Sequence, residues 1–141
     1  MVILDTNVLS ELMATRPSES VQAWANAQRR DQLVTTVITV MELYSGVNLM
    51  KPSRRRGELE TLIERALDDL LGGRVLTFDR RAAIATAEWY ATQRRSGSIS
   101  DIRDTQIAGI ALARRIPIAT RNVDHFEGLG VKVINPWAFL A

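Results

Sequence analysis

Five short apolar runs, separated by longer segments of helical period, leave few folds open to this chain. Val2–Leu4, Leu33–Thr36, Arg74–Phe78, Ile116–Thr120 and Val131–Ile134 read as strands. Between them, apolar residues recur at helical spacing over Thr6–Ala14, Ser18–Arg30, Val37–Met50, Arg54–Leu71, Arg80–Arg95 and Asp101–Arg115. Strands without polar alternation are buried on both faces, and intervening helices supply the cover. The pattern therefore predicts βαβ units and a mostly parallel sheet. Gly72-Gly73 stops the fourth helix, and Asn135-Pro136 offers a cap and first position for a closing turn with Trp137 and Phe139. In sheets of this kind, ligands bind beyond the carboxyl ends of the strands.

The 141 residues suffice for one domain with a real core, so a single domain over 1–141 is expected. Cysteine is absent, which excludes disulfides and thiolate–zinc sites and fits a cytoplasmic location. The N-terminus meets Asp5 after a brief apolar run, unlike a signal peptide, and no apolar stretch approaches the ~18 residues that span a bilayer. No membrane role is expected. Net charge is only +2, yet all but Lys51 and Lys132 of the 18 basic residues are arginine, whose planar fork suits phosphate. A solvated arginine-rich surface would look the same. Met50–Arg56 and Arg95–Ser100 are the expected mobile connections.

Three acids stand where local structure explains them incompletely. Glu42 is the only charged residue from Leu33 to Met50, inside a helix apolar on nearly all sides. Such a helix should be buried nearly all round, and a buried carboxylate must be protonated, paired or bound to a cation. The competing reading puts Glu42 on a polar stripe with Thr39 and Asn48. Asp5 follows the first strand and opens the first helix; it is either an N-cap, a role worth about 1 kcal/mol, or a ligand at a strand end. Asp104 lies in the first turn of a helix whose continuation, Thr105–Ala111, is nearly all apolar. It either complements the helix dipole, with Asp101 as cap, or faces a cleft.

After the fourth strand, Thr120 and Arg121 offer a hydroxyl and a cation suited to a phosphate, and Asn122 can cap the following turn. Asp124 and the lone histidine, His125, are expected on the surface. Without cysteine and with one histidine, a cluster of these acids selects a hard ion, Mg²⁺ or Mn²⁺. Such an ion lowers the pKa of bound water and neutralises charge on a reacting phosphate, so a histidine base is not required.

At these residues the chain resembles the PIN-domain ribonucleases, specifically the VapC/FitB-like toxins of bacterial toxin–antitoxin pairs. The resemblance rests on Leu4-Asp5-Thr6-Asn7, Ile38–Leu43 with Gly46, Asp104–Ala111, Ala119–Asn122 and the closing Gly128–Trp137 run. It implies a three-layer α/β/α fold with a five-stranded parallel sheet in order 3-2-1-4-5. It also implies Mg²⁺- or Mn²⁺-dependent cleavage of RNA, a homodimer, and a cognate antitoxin whose C-terminal segment blocks the site. Operator DNA would be met only through the antitoxin. Carried over by position, Asp5, Glu42 and Asp104 form the acidic triad and hold the metal. Asn122 takes a fourth position that is often aspartate, which leaves the metal count open; Asp124 is a substitute for it. Thr6 and Asn7 would brace Asp5.

Two other readings use the same residues. A binding module without catalysis, acting on RNA or within an antitoxin complex on operator DNA, would have no tight Mn²⁺ site. A phosphorylated receiver-like domain needs paired acids after the first strand and a lysine after the last, whereas Asp5 stands alone and Lys132 falls inside the last predicted strand. No G-x-G-x-x-G follows the first strand, so dinucleotide binding is not indicated.

Overall fold

A computed structural model describes residues 1–98 and 100–140. Five strands, β1 (Val2–Leu4), β2 (Leu33–Thr36), β3 (Val75–Leu76), β4 (Ile118–Ala119) and β5 (Val133–Ile134), form one all-parallel sheet in the order β3-β2-β1-β4-β5. The expected α/β architecture and strand order are borne out. β1 is central, with Ile3 opposite Val34 on one side and Ile118 on the other. Because the chain reverses its direction of travel across the sheet between β3 and β4, a crevice opens past the carboxyl ends of β1 and β4.

Six helices cover this sheet: α1 (Thr6–Met13), α2 (Glu19–Ala27), α3 (Val37–Asn48), α4 (Arg54–Arg65), α5 (Arg80–Arg95) and α6 (Ile102–Arg114). The two faces of the strands divide the core, as the twofold side-chain alternation of a strand requires. Ile3, Val34 and Ile118 pack with Ile38 of α3, Ala82 and Trp89 of α5, and Ile107 and Ile110 of α6. Val2, Leu4, Leu33 and Ala119 point the other way, against Val8 and Leu9 of α1, Val21 and Trp24 of α2, and Ala66 and Leu71 after α4. At roughly 25 cal/mol per Å² of apolar surface, each fully buried Leu or Ile here is worth about 1.5–3 kcal/mol.

Three local expectations are corrected. The helix predicted over Arg54–Leu71 ends its α-helical part at Arg65 and continues as one wider turn, Ala66–Leu70, with Leu71 N donating to the Ala66 carbonyl. Gly72 and Gly73 then take φ of 56° and 74°, the left-handed conformation that glycine tolerates. The strands predicted over Arg74–Phe78, Ile116–Thr120 and Val131–Ile134 each shorten to two residues. The Met50–Arg56 connection is tied down: Ser53 Oγ accepts from Arg56 N at 3.1 Å, and Arg56 Nη1 donates to the Met50 carbonyl at 3.1 Å. The Arg95–Ser100 connection includes Ile99, outside the described residues.

The burial expected of α3 also needs correction. Only Ile38, Thr39 and Val47 are buried, Met41 is 48% exposed, and Leu43 and Tyr44 are half-buried. The sequence of an apolar helix does not distinguish cover supplied by the chain itself from cover awaited from a partner. α6, by contrast, is buried from Ile107 through Ala111, as expected.

Candidate active site

β1 delivers Asp5 directly into the crevice. Its carboxylate caps α1, with Oδ1 accepting from Thr6 N at 2.8 Å, so the cap and site readings are both correct. Oδ2 accepts from Thr120 Oγ1 at 2.7 Å and from Asn7 Nδ2 at 3.3 Å. Asp5 is 4% exposed. Burial pushes its carboxyl above the ordinary aspartate range, against the hydrogen bonds of Thr120 and Thr6, and the charge of Asp104 adds to the rise.

Thr120 is fully buried at the end of β4 and acts on Asp5 rather than on a ligand, which corrects its assignment as a phosphate contact. Its hydroxyl oxygen also accepts from Asn7 Nδ2 at 3.2 Å and from Asn122 N at 3.1 Å. Asn7 Oδ1 in turn accepts from Arg121 N at 3.1 Å. Thr6 and Asn7 therefore brace the site in different ways, because Thr6 reaches a second acid. Its hydroxyl donates to Glu42 Oε1 at 2.8 Å and lies 3.0 Å from the Thr39 hydroxyl, which can donate back.

Glu42 is brought to this point by α3, which begins where β2 ends and is capped there by Thr36, whose Oγ1 accepts from Thr39 N at 3.2 Å. The Glu42 side chain is 20% exposed, and Thr39 beside it is fully buried, so no solvated polar stripe exists. Burial raises the Glu42 carboxyl above its usual range; the Thr6 hydroxyl and Arg103 pull it down, and Asp5 and Asp104 push it up. Asp104 thus acts on both Asp5 and Glu42, which places the three acids in one field.

Asp104 enters from the first turn of α6. Asp101 caps that helix, its Oδ1 accepting from Arg103 N at 2.8 Å, which leaves Asp104 turned toward the crevice. Two neighbours of this acid were not expected from the sequence. His125 Nδ1 lies 2.8 Å from Asp104 Oδ2, so the lone histidine belongs to the site, although its side chain is half exposed. Arg103 grips Asp101 through Nε at 3.1 Å and Nη2 at 3.0 Å, and its Nη1 lies 3.7 Å from Glu42 Oε2. Nothing in the sequence pairs residues 104 and 125, but the clustering of Arg103 with two acids was visible as a signal.

Other expected contacts lie apart. Asn122 is exposed; its side chain does not cap the turn Val123–Phe126, and its carbonyl accepts from His125 N at 3.0 Å. Arg121 is stacked 4.9 Å over the Trp137 ring. Asp124 is exposed beside His125.

The donor set fits a hard divalent cation: three carboxylates, no sulfur, and acids whose ionised forms are held at a cost that a cation relieves. Among the described residues no three Asp, Glu or His side chains already stand as a closed cage. Asp104 is turned to His125, and Glu42 to Thr6 and Arg103. Beside it, α1, α3 and α4 enclose an apolar groove of about 440 Å³ whose lining includes Met13, Leu43, Val47 and Leu62, with Thr6 and Glu42 at its edge.

The model of the PIN domain matches residues 2–131. This chain belongs to the PIN-domain family. The chain is 40% identical over 137 residues to the plasmid stability protein StbB of Pseudomonas syringae pv. tomato, covering 97% of this chain and 99% of that one. It is 39% identical to the VapC ribonuclease Y4jK of Sinorhizobium fredii, with coverage of 97% and 98%, and 33% identical to the toxin FitB of Neisseria gonorrhoeae, with coverage of 97% and 99%. Among solved structures, FitAcB from Neisseria gonorrhoeae matches with a TM-score of 0.88 at 32% identity, covering 99% and 100% of the two chains. FitAB bound to an IR36 DNA fragment matches with a TM-score of 0.89 at 31% identity, covering 100% and 99%. VapBC-5 from Mycobacterium tuberculosis, of a family of toxin–antitoxin systems, matches at 0.72 and 26%, covering 94% and 96%. The resemblance to VapC- and FitB-like proteins is borne out. No helix of the described residues is long and apolar enough to cross a membrane.

Proposed function

We propose that this PIN domain is the endoribonuclease toxin of a toxin–antitoxin pair, acting in the cytoplasm with Mg²⁺ or Mn²⁺. The observation that carries the reading is the convergence of Asp5, Glu42 and Asp104 on one crevice at the switch point of the sheet, two of them with raised pKa. The names of full-length relatives, a VapC ribonuclease and a toxin, support it.

A divalent cation held by Asp5, Asp104 and Glu42 would lower the pKa of water and neutralise charge on the scissile phosphate. The chain's own part is to hold the acids. Thr120, Asn7 and the Thr6 amide orient the Asp5 carboxyl, and the Thr6 hydroxyl does the same for Glu42. Asn122, exposed at the end of β4, is placed to meet the RNA backbone with a neutral amide. Attack of water in line with the 3′-oxygen leaves a 3′-hydroxyl and a 5′-phosphate. The apolar groove beside Glu42 is the seat for the antitoxin's C-terminal segment, which then covers the site, and operator DNA is met through that antitoxin. The protein works as a homodimer, read out by its mass in solution.

Purified protein and Asp5→Asn are incubated with structured RNA and Mg²⁺. Cleavage by the first and loss of at least a hundredfold in the second is expected; equal cleavage by both removes the proposed site.

A further inference from the structure

Among the described residues, the Asp104 carboxylate has one hydrogen-bond partner, the His125 imidazole, whose Nδ1 lies 2.8 Å from Oδ2. An ionised carboxylate only accepts, so the proton of this contact belongs to Nδ1 and the imidazole donates. Both ends stand on fixed backbone. The His125 amide donates to the Asn122 carbonyl at 3.0 Å, and the buried Phe126 and Leu129 anchor the chain after β4 in the core. Opposite, Thr105 is buried beside Asp104, and its amide and hydroxyl both donate to the Asp101 carbonyl at 3.1 Å.

The three acids differ in how they are held. Asp5 accepts from the Thr6 amide, Asn7 and Thr120, and Glu42 accepts from the Thr6 hydroxyl with Arg103 close by. Asp104 repels both of them and is only half-buried, so without a tether it would swing toward water. His125 opposes that swing. It also takes up Oδ2, whereas Oδ1 has no partner among the described residues. A carboxylate with one oxygen occupied offers a cation the other alone. Mg²⁺ demands octahedral geometry, which suits one oxygen per carboxylate, and Mn²⁺ shares that geometry. Ca²⁺ is larger, takes more ligands and readily accepts both oxygens.

We infer that His125 is a positioning residue, which holds Asp104 through Nδ1–H so that it meets a cation with Oδ1 only, and thereby favours Mg²⁺ and Mn²⁺ over Ca²⁺. The inference rests on the cation site of the proposed function, and the experiment separates the two. The parent chain, Asp5→Asn, His125→Leu and His125→Asn are titrated with Mn²⁺ and with Ca²⁺ by calorimetry, beside thermal melts in EDTA. Asparagine places its Nδ2 donor where histidine has Nδ1, whereas leucine keeps bulk and donates nothing. His125→Leu should bind Mn²⁺ about tenfold more weakly or worse, the usual effect of losing a hydrogen bond to a metal ligand, and its ratio of Mn²⁺ to Ca²⁺ affinity should fall in step. His125→Asn should stay within about threefold of the parent in both. If His125→Leu melts far below the parent, His125→Gln, whose donor sits one bond farther out, takes its place with the same losses expected. Unchanged or tighter Mn²⁺ binding, an equal loss for both ions, or failure of asparagine to restore them overturns the role of His125. Mn²⁺ binding that Asp5→Asn abolishes and His125→Leu spares overturns it while leaving the cation site standing. A parent chain that binds no Mn²⁺ overturns both. The expected losses without any RNA cleavage by the parent would keep the role and remove the nuclease reading.

Discussion

Thr120 Oγ1 donates to Asp5 Oδ2 at 2.7 Å, a contact that joins the ends of β4 and β1 across 115 positions of sequence and is itself fully enclosed. It opposes the rise that burial imposes on the Asp5 carboxyl. Thr120→Val keeps the shape and removes the donor. The variant should lose about 1–3 kcal/mol, the usual cost of stripping a partner from a buried polar group. Because its Asp5 pKa rises further, the deficit should grow with pH and shrink in acid, and lost nuclease activity should partly return in alkaline buffer. Thr120→Ser should restore both. Denaturant melts across pH, paired with a rate–pH profile, check this.

The raised carboxyls of Asp5 and Glu42 fix the sign of the pH dependence of the metal-free protein. Between the ordinary carboxyl values of 3.8 and 4.5 and the higher folded values, the native state binds more protons than the unfolded chain. Stability must therefore fall as pH rises through that window. Asp101, whose carboxyl is lowered by Arg103, acts oppositely and only in more acidic solution. Thermal melts in EDTA should show the decline as pH rises above the ordinary carboxylate range, and saturating Mn²⁺ should abolish it, since a cation binding only the folded state adds stability by mass action. A flat EDTA profile would contradict the shared field of the acids.

Arg103 is the cation nearest Glu42, at 3.7 Å, and it adds a positive charge where a metal would add two. Arg103→Ala should tighten Mn²⁺ binding a few-fold, measured by calorimetry, because competition for the carboxylate is removed. Its stability should change little, as exposed pairs contribute little. Weaker Mn²⁺ binding would instead make Arg103 a support for the site.

The parts of this site readable from sequence were those in which a residue contradicts its own neighbourhood. Glu42 is a lone charge in an apolar helix, and Asp5 interrupts the chain where a buried strand ends. Asp104 precedes a run that had to be buried, and α6 is. His125 contradicts nothing around it, so only the folded chain could pair it with Asp104. The exposed flank of α3 was hidden for a related reason: apolar sequence records that a surface is covered, not by what. Strand lengths were overread because apolar residues flanking β3, β4 and β5 pack on the core without joining the ladder, as Phe78, Ile116 and Val131 do.

Gly109 lies where α6 crosses α5. A Cβ there would stand 2.7 Å from the Ala82 carbonyl oxygen and would also collide with Thr86, whose hydroxyl donates to that same carbonyl. The obstacle is partly backbone, so no change of rotamer relieves it. Gly109→Ala should destabilise by about 1–3 kcal/mol or more through overpacking, despite a gain in helix propensity of up to about 1 kcal/mol. Gly57→Ala in α4, where nothing lies within 4 Å, should keep the propensity gain and raise the melting temperature. Opposite shifts in the two melts are expected.

Gly46 supplies the remaining prediction, because it lines the apolar groove within α3 and a Cβ there also meets nothing within 4 Å. A larger side chain at this position projects into space that the chain leaves empty, so the fold has no reason to resist it. Gly46→Leu should melt at or above the parent temperature, given the helix propensity of leucine. RNA cleavage should persist, since the acids and their hydrogen bonds do not involve residue 46. Inhibition by the cognate antitoxin should weaken at least tenfold, because the leucine occupies the volume its segment needs. Inhibition curves at fixed RNA decide it: an unshifted curve would place the antitoxin elsewhere, and a lost activity would mean that the groove carries RNA.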